Sequence, residues 1–192
     1  MPAEEAPVTS AGLVSPVRRR RRWRRWLIAL AVVIALFLGA TARLFVWPDR
    51  GLPPKVDAIV SLDVPYGAVN VAIRLAEEHR APYLVVSLGR PQSSYGCPAP
   101  VTGVKLICFN PDPATTQGEA EFVGRLAHRH HWRSIGVVTI TPQDTRARLR
   151  MSRCFGGAVY VRTTPIPGGA WPHQLAYEWG ALFKALVLQR SC

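Results

Sequence analysis

The chain has no C-x-x-C and no H-x-x-x-H spacing, so the usual ligand sets of a zinc site are missing and no metal is expected. No G-x-G-x-x-G follows the first strand-like run, which removes the dinucleotide fingerprint. Ser87, at the end of the second such run, lacks the G-x-S-x-G setting of a nucleophile elbow. There is no internal repeat. Acid is scarce, with 12 Asp and Glu against 24 Lys and Arg and a net charge of +12. Two local absences say most. Residues 27–42 contain no charge, and no cysteine precedes Cys97.

The uncharged run is preceded by RRRRRWRRW at residues 18–26. Arginine excess marks the cytoplasmic flank of a membrane segment, and boundary tryptophans suit the interface. Sixteen uncharged residues are short for a span of about 20. Counting residues 26–47 restores the length, because Arg43 can bend its stem toward the headgroups. We therefore expect an irregular basic cytoplasmic tail (1–25), a transmembrane helix (26–47) and an extracytoplasmic domain (48–192). A cleaved signal stays open, since Ala40-Thr41-Ala42 fits a small-x-small site and Arg24-Arg25 faintly resembles a twin-arginine signal. Every variant exports the same domain. Residues 1–47 hold eight arginines and two glutamates, half of the net charge. A basic cluster beside an apolar helix reads as topology signal and lipid contact rather than a nucleic-acid arm, so the expected partners are membrane lipids and not nucleic acid.

Cys97, Cys108, Cys154 and Cys192 all follow the apolar run, as disulfides in an oxidising compartment would. Four cysteines allow three pairings. Cys97–Cys108, closing a turn-rich loop, and Cys154–Cys192, tying the end of the sequence to the body, are the favoured ones.

Residues 55–192 suffice for one domain. Apolar runs at 56–62 (VDAIVSL), 83–88, 105–109, 135–140 and 158–161 read as strands. Segments 68–79, 116–131, 142–155 and 174–188 carry helical spacing. Strands apolar throughout imply a sheet covered on both faces, hence a mostly parallel α/β/α sandwich of about five strands, Rossmann-like in outline. Ligands of such sheets sit beyond the carboxyl ends of the strands. The residues found there are Asp63, Ser87, Thr116, Glu119, Thr139, Thr141, Gln143 and Arg146.

Each has a plain structural reading beside its functional one. Thr141 as N-cap, Pro142 at N1 and Asp144 at N3 open a helix, while Arg146 one turn in would add a charge for a bound anion. Thr116 and Glu119 fit a capping box, yet also stand where a ligand-facing hydroxyl and carboxylate belong. Asp63 and Glu119 are the candidate acid/base pair. Arg150 and Arg153, on the Arg146 face, read as a solvated basic surface. His128, His130 and His131 read as helix-end residues. Trp171 and Trp179 are candidates for docking a protein partner.

The order VDAIVSL, APYLVVSLG, DPATTQGEA, GVVTITPQDTRARLRMSRCF resembles the YdcF/SanA/ElyC-like family across about residues 55–162. The resemblance implies a Rossmann-like domain behind one membrane helix and a role in cell-envelope integrity, including peptidoglycan or lipid-carrier metabolism. It implies ligand roles for Ser87, Thr116, Thr139 and Arg146. Asp63-Val64 stands where the family usually has a glycine pair, Ala68 near a usual arginine, Gly118-Glu119 for an acid-asparagine pair, and Gln143 for a histidine. A cytosolic relative is associated with S-adenosylmethionine, but export separates this domain from that pool, so no cofactor is expected. The functions in view are an anion-binding envelope protein, a hydrolase or transferase on a phosphate-linked lipid or cell-wall precursor, and an assembly factor without a small ligand.

Overall fold

The computed structural model describes residues 16–48, 51–89 and 96–192, in two compact units, residues 1–40 and Thr41–Cys192. The first unit is built on helix α1 (Pro16–Thr41). The tail expected at 1–25 lies outside the described residues up to residue 15, and from Pro16 the chain is helical rather than irregular. The stretch Arg21–Val46 is long and apolar enough to cross a membrane. Trp26, Ile28, Val33 and Leu36 on it are all exposed.

The second unit holds strands β1 (Ala58–Ser61), β2 (Tyr83–Ser87), β3 (Lys105–Phe109), β4 (Ser134–Ile140) and β5 (Ala158–Thr164). They form one all-parallel sheet in the order β3-β2-β1-β4-β5. Helices α2 (Ala68–Glu77), α3 (Thr116–His130) and α4 (Asp144–Cys154) connect them, and α5 (Trp171–Phe183) follows β5. The α/β/α sandwich expected from the sequence is present.

Alternation along the strands divides the core. Ile59, Leu84, Val86 and Val138 pack under α2 with Ala72 and Ala76. Val60, Val85, Val137 and Val161 face α3 and α4 with Val123, Ala147 and Met151. Burial on both faces is why β1 reads as an unbroken apolar run. At the amino edge the Asp57 carboxylate accepts from the Arg133 and Ser134 amides at 2.7 and 2.8 Å, pinning β4 beside β1.

Both favoured disulfides are present, Cys97–Cys108 and Cys154–Cys192. Several local expectations change. Arg150 and Arg153 are not a solvated face. Arg150 is 4% exposed and donates to the Gln189 carbonyl and side chain, each at 2.7 Å. Arg153 donates to the carbonyls of Ala185 and Gln189. The cause is the end of the last helix, whose orphan carbonyls attract cations. Trp179 is committed internally too. Its ring meets Phe45 edge-on at 5.3 Å, and its Nε1 donates to Thr41 at 3.2 Å.

Candidate functional site

β1 and β4 lie side by side, but the chain leaves β1 toward β2 and leaves β4 toward β5. That divergence opens a crevice at their carboxyl ends, the switch point where doubly wound sheets bind ligands. A cavity of about 600 Å³ occupies it, lined by Asp63, Thr115, Thr116, Glu119, Gln143, Arg146, Gln174 and Tyr177.

The start of α3 supplies two of the central side chains, through a one-residue correction. Thr115, not Thr116, is the N-cap, with its hydroxyl accepting from the Gly118 amide at 3.3 Å. Gly118 is required there, because a Cβ would lie 2.0 Å from the Pro113 carbonyl oxygen. With Thr115 in the capping role, Thr116 and Glu119 are released from the expected box. Thr116 accepts from Gln143 Nε2 at 3.1 Å and from Arg146 Nη1 at 2.6 Å. Glu119 accepts the Asp63 amide at 2.8 Å and is 4% exposed.

Gln143 is held at both ends of its amide. Its Oε1 takes the Thr139 hydroxyl at 2.6 Å, and its Nε2 gives to Thr116. Thr139 is fully buried behind it. Arg146 closes the series with a bidentate pair to Glu178, Nε to Oε2 at 2.8 Å and Nη2 to Oε1 at 2.9 Å. The Tyr177 ring covers the guanidinium at 5.6 Å, and Gln174 donates to Glu178 at 3.3 Å. Burial opposes the charge on Arg146, but the Glu178 carboxylate outweighs it and holds the guanidinium more firmly protonated than usual.

Glu119 has no such partner. Burial, the largest influence, raises its pKa from 4.5 to about 7. The Asp63 amide and the Ser87 hydroxyl favour the anion, the Asp63 carboxylate opposes it, and Arg146 favours it weakly. Ser87 itself is buried without a hydrogen bond of ordinary geometry among the described residues. Asp63 stands exposed at the rim, and burial of part of its carboxyl raises its pKa as well. Gly89 makes room for it. This residue has φ +63°, and a Cβ would fall 1.6 Å from Asp63 Oδ2.

The structure thus brings Asp63, Thr116, Glu119, Gln143 and Arg146 to one cavity, with Thr139 supporting from behind. Thr141 is not among them and is not an N-cap. It lies in a 3-10 turn (Thr141–Gln143), and its hydroxyl donates to the Thr164 carbonyl at 3.0 Å, tying that turn to β5. Asp144 opens α4 buried and paired with Arg148 at 3.4 Å. His131 ends α3 in the left-handed region, and His130 stacks on Trp132. Among the described residues no group of three His, Cys, Asp or Glu could hold a metal.

Sequence reasoning missed Glu178, Tyr177, Gln174, Thr115 and Gly89. Glu178 left a signal. It is the only acid between residues 174 and 188, on the apolar side of an otherwise greasy helix, where a buried carboxylate demands a cation. No family model, curated protein or solved structure matches this chain.

Proposed function

We propose that the second unit is an extracytoplasmic acid–base enzyme, a hydrolase or transferase acting on a cell-wall or lipid-linked precursor and tethered by α1. What carries this reading is Glu119, a buried carboxyl lining the cavity, whose pKa burial pushes up to about 7. An acid poised near the working pH can give and take a proton, and such catalysis is worth about 10²–10⁴ in rate. Glu119 gives its proton to the leaving group while Asp63 at the rim takes one from the attacking hydroxyl or water. Thr116 and Gln143, fixed by Thr139 and Arg146, orient the substrate.

Simple anion capture by Arg146 is the weaker reading. Its charge is already matched by Glu178, and Asp63 adds a negative charge at the rim. The proposed compartment is supported by the arginine cluster ahead of the apolar helix and by two disulfides beyond it. The resemblance to YdcF/SanA/ElyC-like proteins supports an envelope role.

The test uses full-length protein in nonionic micelles with precursors extracted from the membrane fraction, followed by mass spectrometry. Wild type should convert one component, and Glu119→Gln and Asp63→Asn should each slow it about 100-fold or more. Equal turnover by Glu119→Gln, or none by wild type across the extract, would sink the assignment.

A further inference from the structure

A second cavity, about 460 Å³, opens on the α2 side of β1 and shares Asp63 with the first. Helices α2, α3, α4 and α5 each follow a strand's carboxyl end, and their starts differ. That of α5 lacks a side-chain cap and a first-turn acid but opens out of a 3-10 turn with Pro172 in its first turn. That of α3 is capped by Thr115, and that of α4 follows a buried turn and carries Asp144 in its first turn. The start of α2 has neither a side-chain cap nor an acid in its first turn. Gly67, at φ +75°, turns the chain into it, and Gly67, Val69 and Asn70 line the cavity. The first amides of α2 therefore have no side-chain cap among the described residues, at the positive end of the helix dipole.

An independent observation points to the same place. Ser61, the last residue of β1, is 1% exposed, and its hydroxyl has no hydrogen-bond partner among the described residues. Alternation with Val60 and Leu62, which pack toward α3 and α4, turns Ser61 with Ile59 toward α2. It also lines the cavity. A buried hydroxyl without a partner costs free energy, which an acceptor placed in the cavity would relieve.

We propose that the α2 start and Ser61 form a phosphate subsite. The α2 amides, the Ser61 hydroxyl and the Asn70 side-chain amide are the donors. The proposal rests on the acid–base reading above and specifies its substrate as a phosphate-bearing one, held so that its reacting bond lies across Asp63 toward Glu119. It also moves the anion from the helix start after β4, where Arg146 is paired, to the helix start after β1. Asp63 opposes the phosphate charge at the rim, so affinity is limited by that one carboxylate.

The test is titration of full-length, isotopically labelled protein in dodecyl maltoside micelles with inorganic phosphate and pyrophosphate, followed by amide NMR. Shifts should centre on residues 67–70. Ser61→Ala should weaken binding about fivefold, one lost hydrogen bond. Asp63→Asn should strengthen it by a similar factor as a repelling charge goes. Shifts centred on residues 141–146, no binding, or unchanged affinity in Ser61→Ala would each overturn the subsite. These failures differ from failure of the enzyme reading, which is judged by the turnover of Glu119→Gln.

Discussion

Replacing Glu119 by glutamine tests the electrostatics of the site without needing a substrate. Glutamine keeps an oxygen to accept the Asp63 amide, 2.8 Å away in the wild type, and cannot titrate. In the unfolded chain Glu119 ionises near 4.5, and in the folded protein near 7. The folded state therefore binds the proton more tightly. Below 4.5 both states are protonated and nothing is lost. Between 4.5 and 7 the unfolded chain ionises first, so stability falls as pH rises. Above 7 the loss levels off. At about 1.4 kcal/mol per tenfold change in proton affinity, the full loss is about 3 kcal/mol. Glu119→Gln should escape it. Urea titrations in micelles, read by tryptophan fluorescence, should show wild type losing about 3 kcal/mol relative to the variant between pH 4.5 and 8. Parallel curves over that range would refute the buried setting, without an ion-pair partner of its own, assigned to Glu119.

Glu178→Ala strands the Arg146 charge in the interior and should cost about 3–5 kcal/mol in the same urea assay. The double change Arg146→Met with Glu178→Leu should recover most of that stability while turnover stays lost, because the orienting donor to Thr116 is gone. Gly89→Ala drives a methyl into the Asp63 carboxyl and strains a left-handed residue. It should reduce turnover at least as much as it lowers the melting midpoint, and a crystal structure would show Asp63 displaced. Removing both cysteines of Cys97–Cys108 or of Cys154–Cys192 should cost up to about 3 or 4 kcal/mol, rising with the logarithm of loop length. Protein recovered without reductant should take up no alkylating label at any of the four.

Much of the frame could be read from periodicity alone. β3 matches residues 105–109 at both ends, and α2 and α3 begin where their spacing begins. The misses have local causes. Residues 56–57 leave β1 because Asp57 turns its carboxylate to the β4 backbone. β5 runs on to Thr164 because full pairing with β4 carries the polar Arg162, Thr163 and Thr164, which show no apolar pattern. In the site, residues at strand ends were legible because topology puts them there. Thr115 and Thr116 are adjacent threonines, and only the extended backbone at Thr115 decides which one caps. Glu178 was hidden by distance, since its partner Arg146 lies 32 positions away and no spacing rule reaches that far.

The strand order bears on how the protein is made. β1 is hydrogen-bonded to β2 on one side and β4 on the other, and Ala58 meets Ile135 across the second seam. Until the chain through β4 has emerged, the innermost ribbon has one bare edge, greasy on both sides. A chain emerging N-terminus first therefore passes through a sticky intermediate that cannot complete its sheet early. Native pairing of Cys154 must wait longer still, for Cys192 at the far end of the last helix.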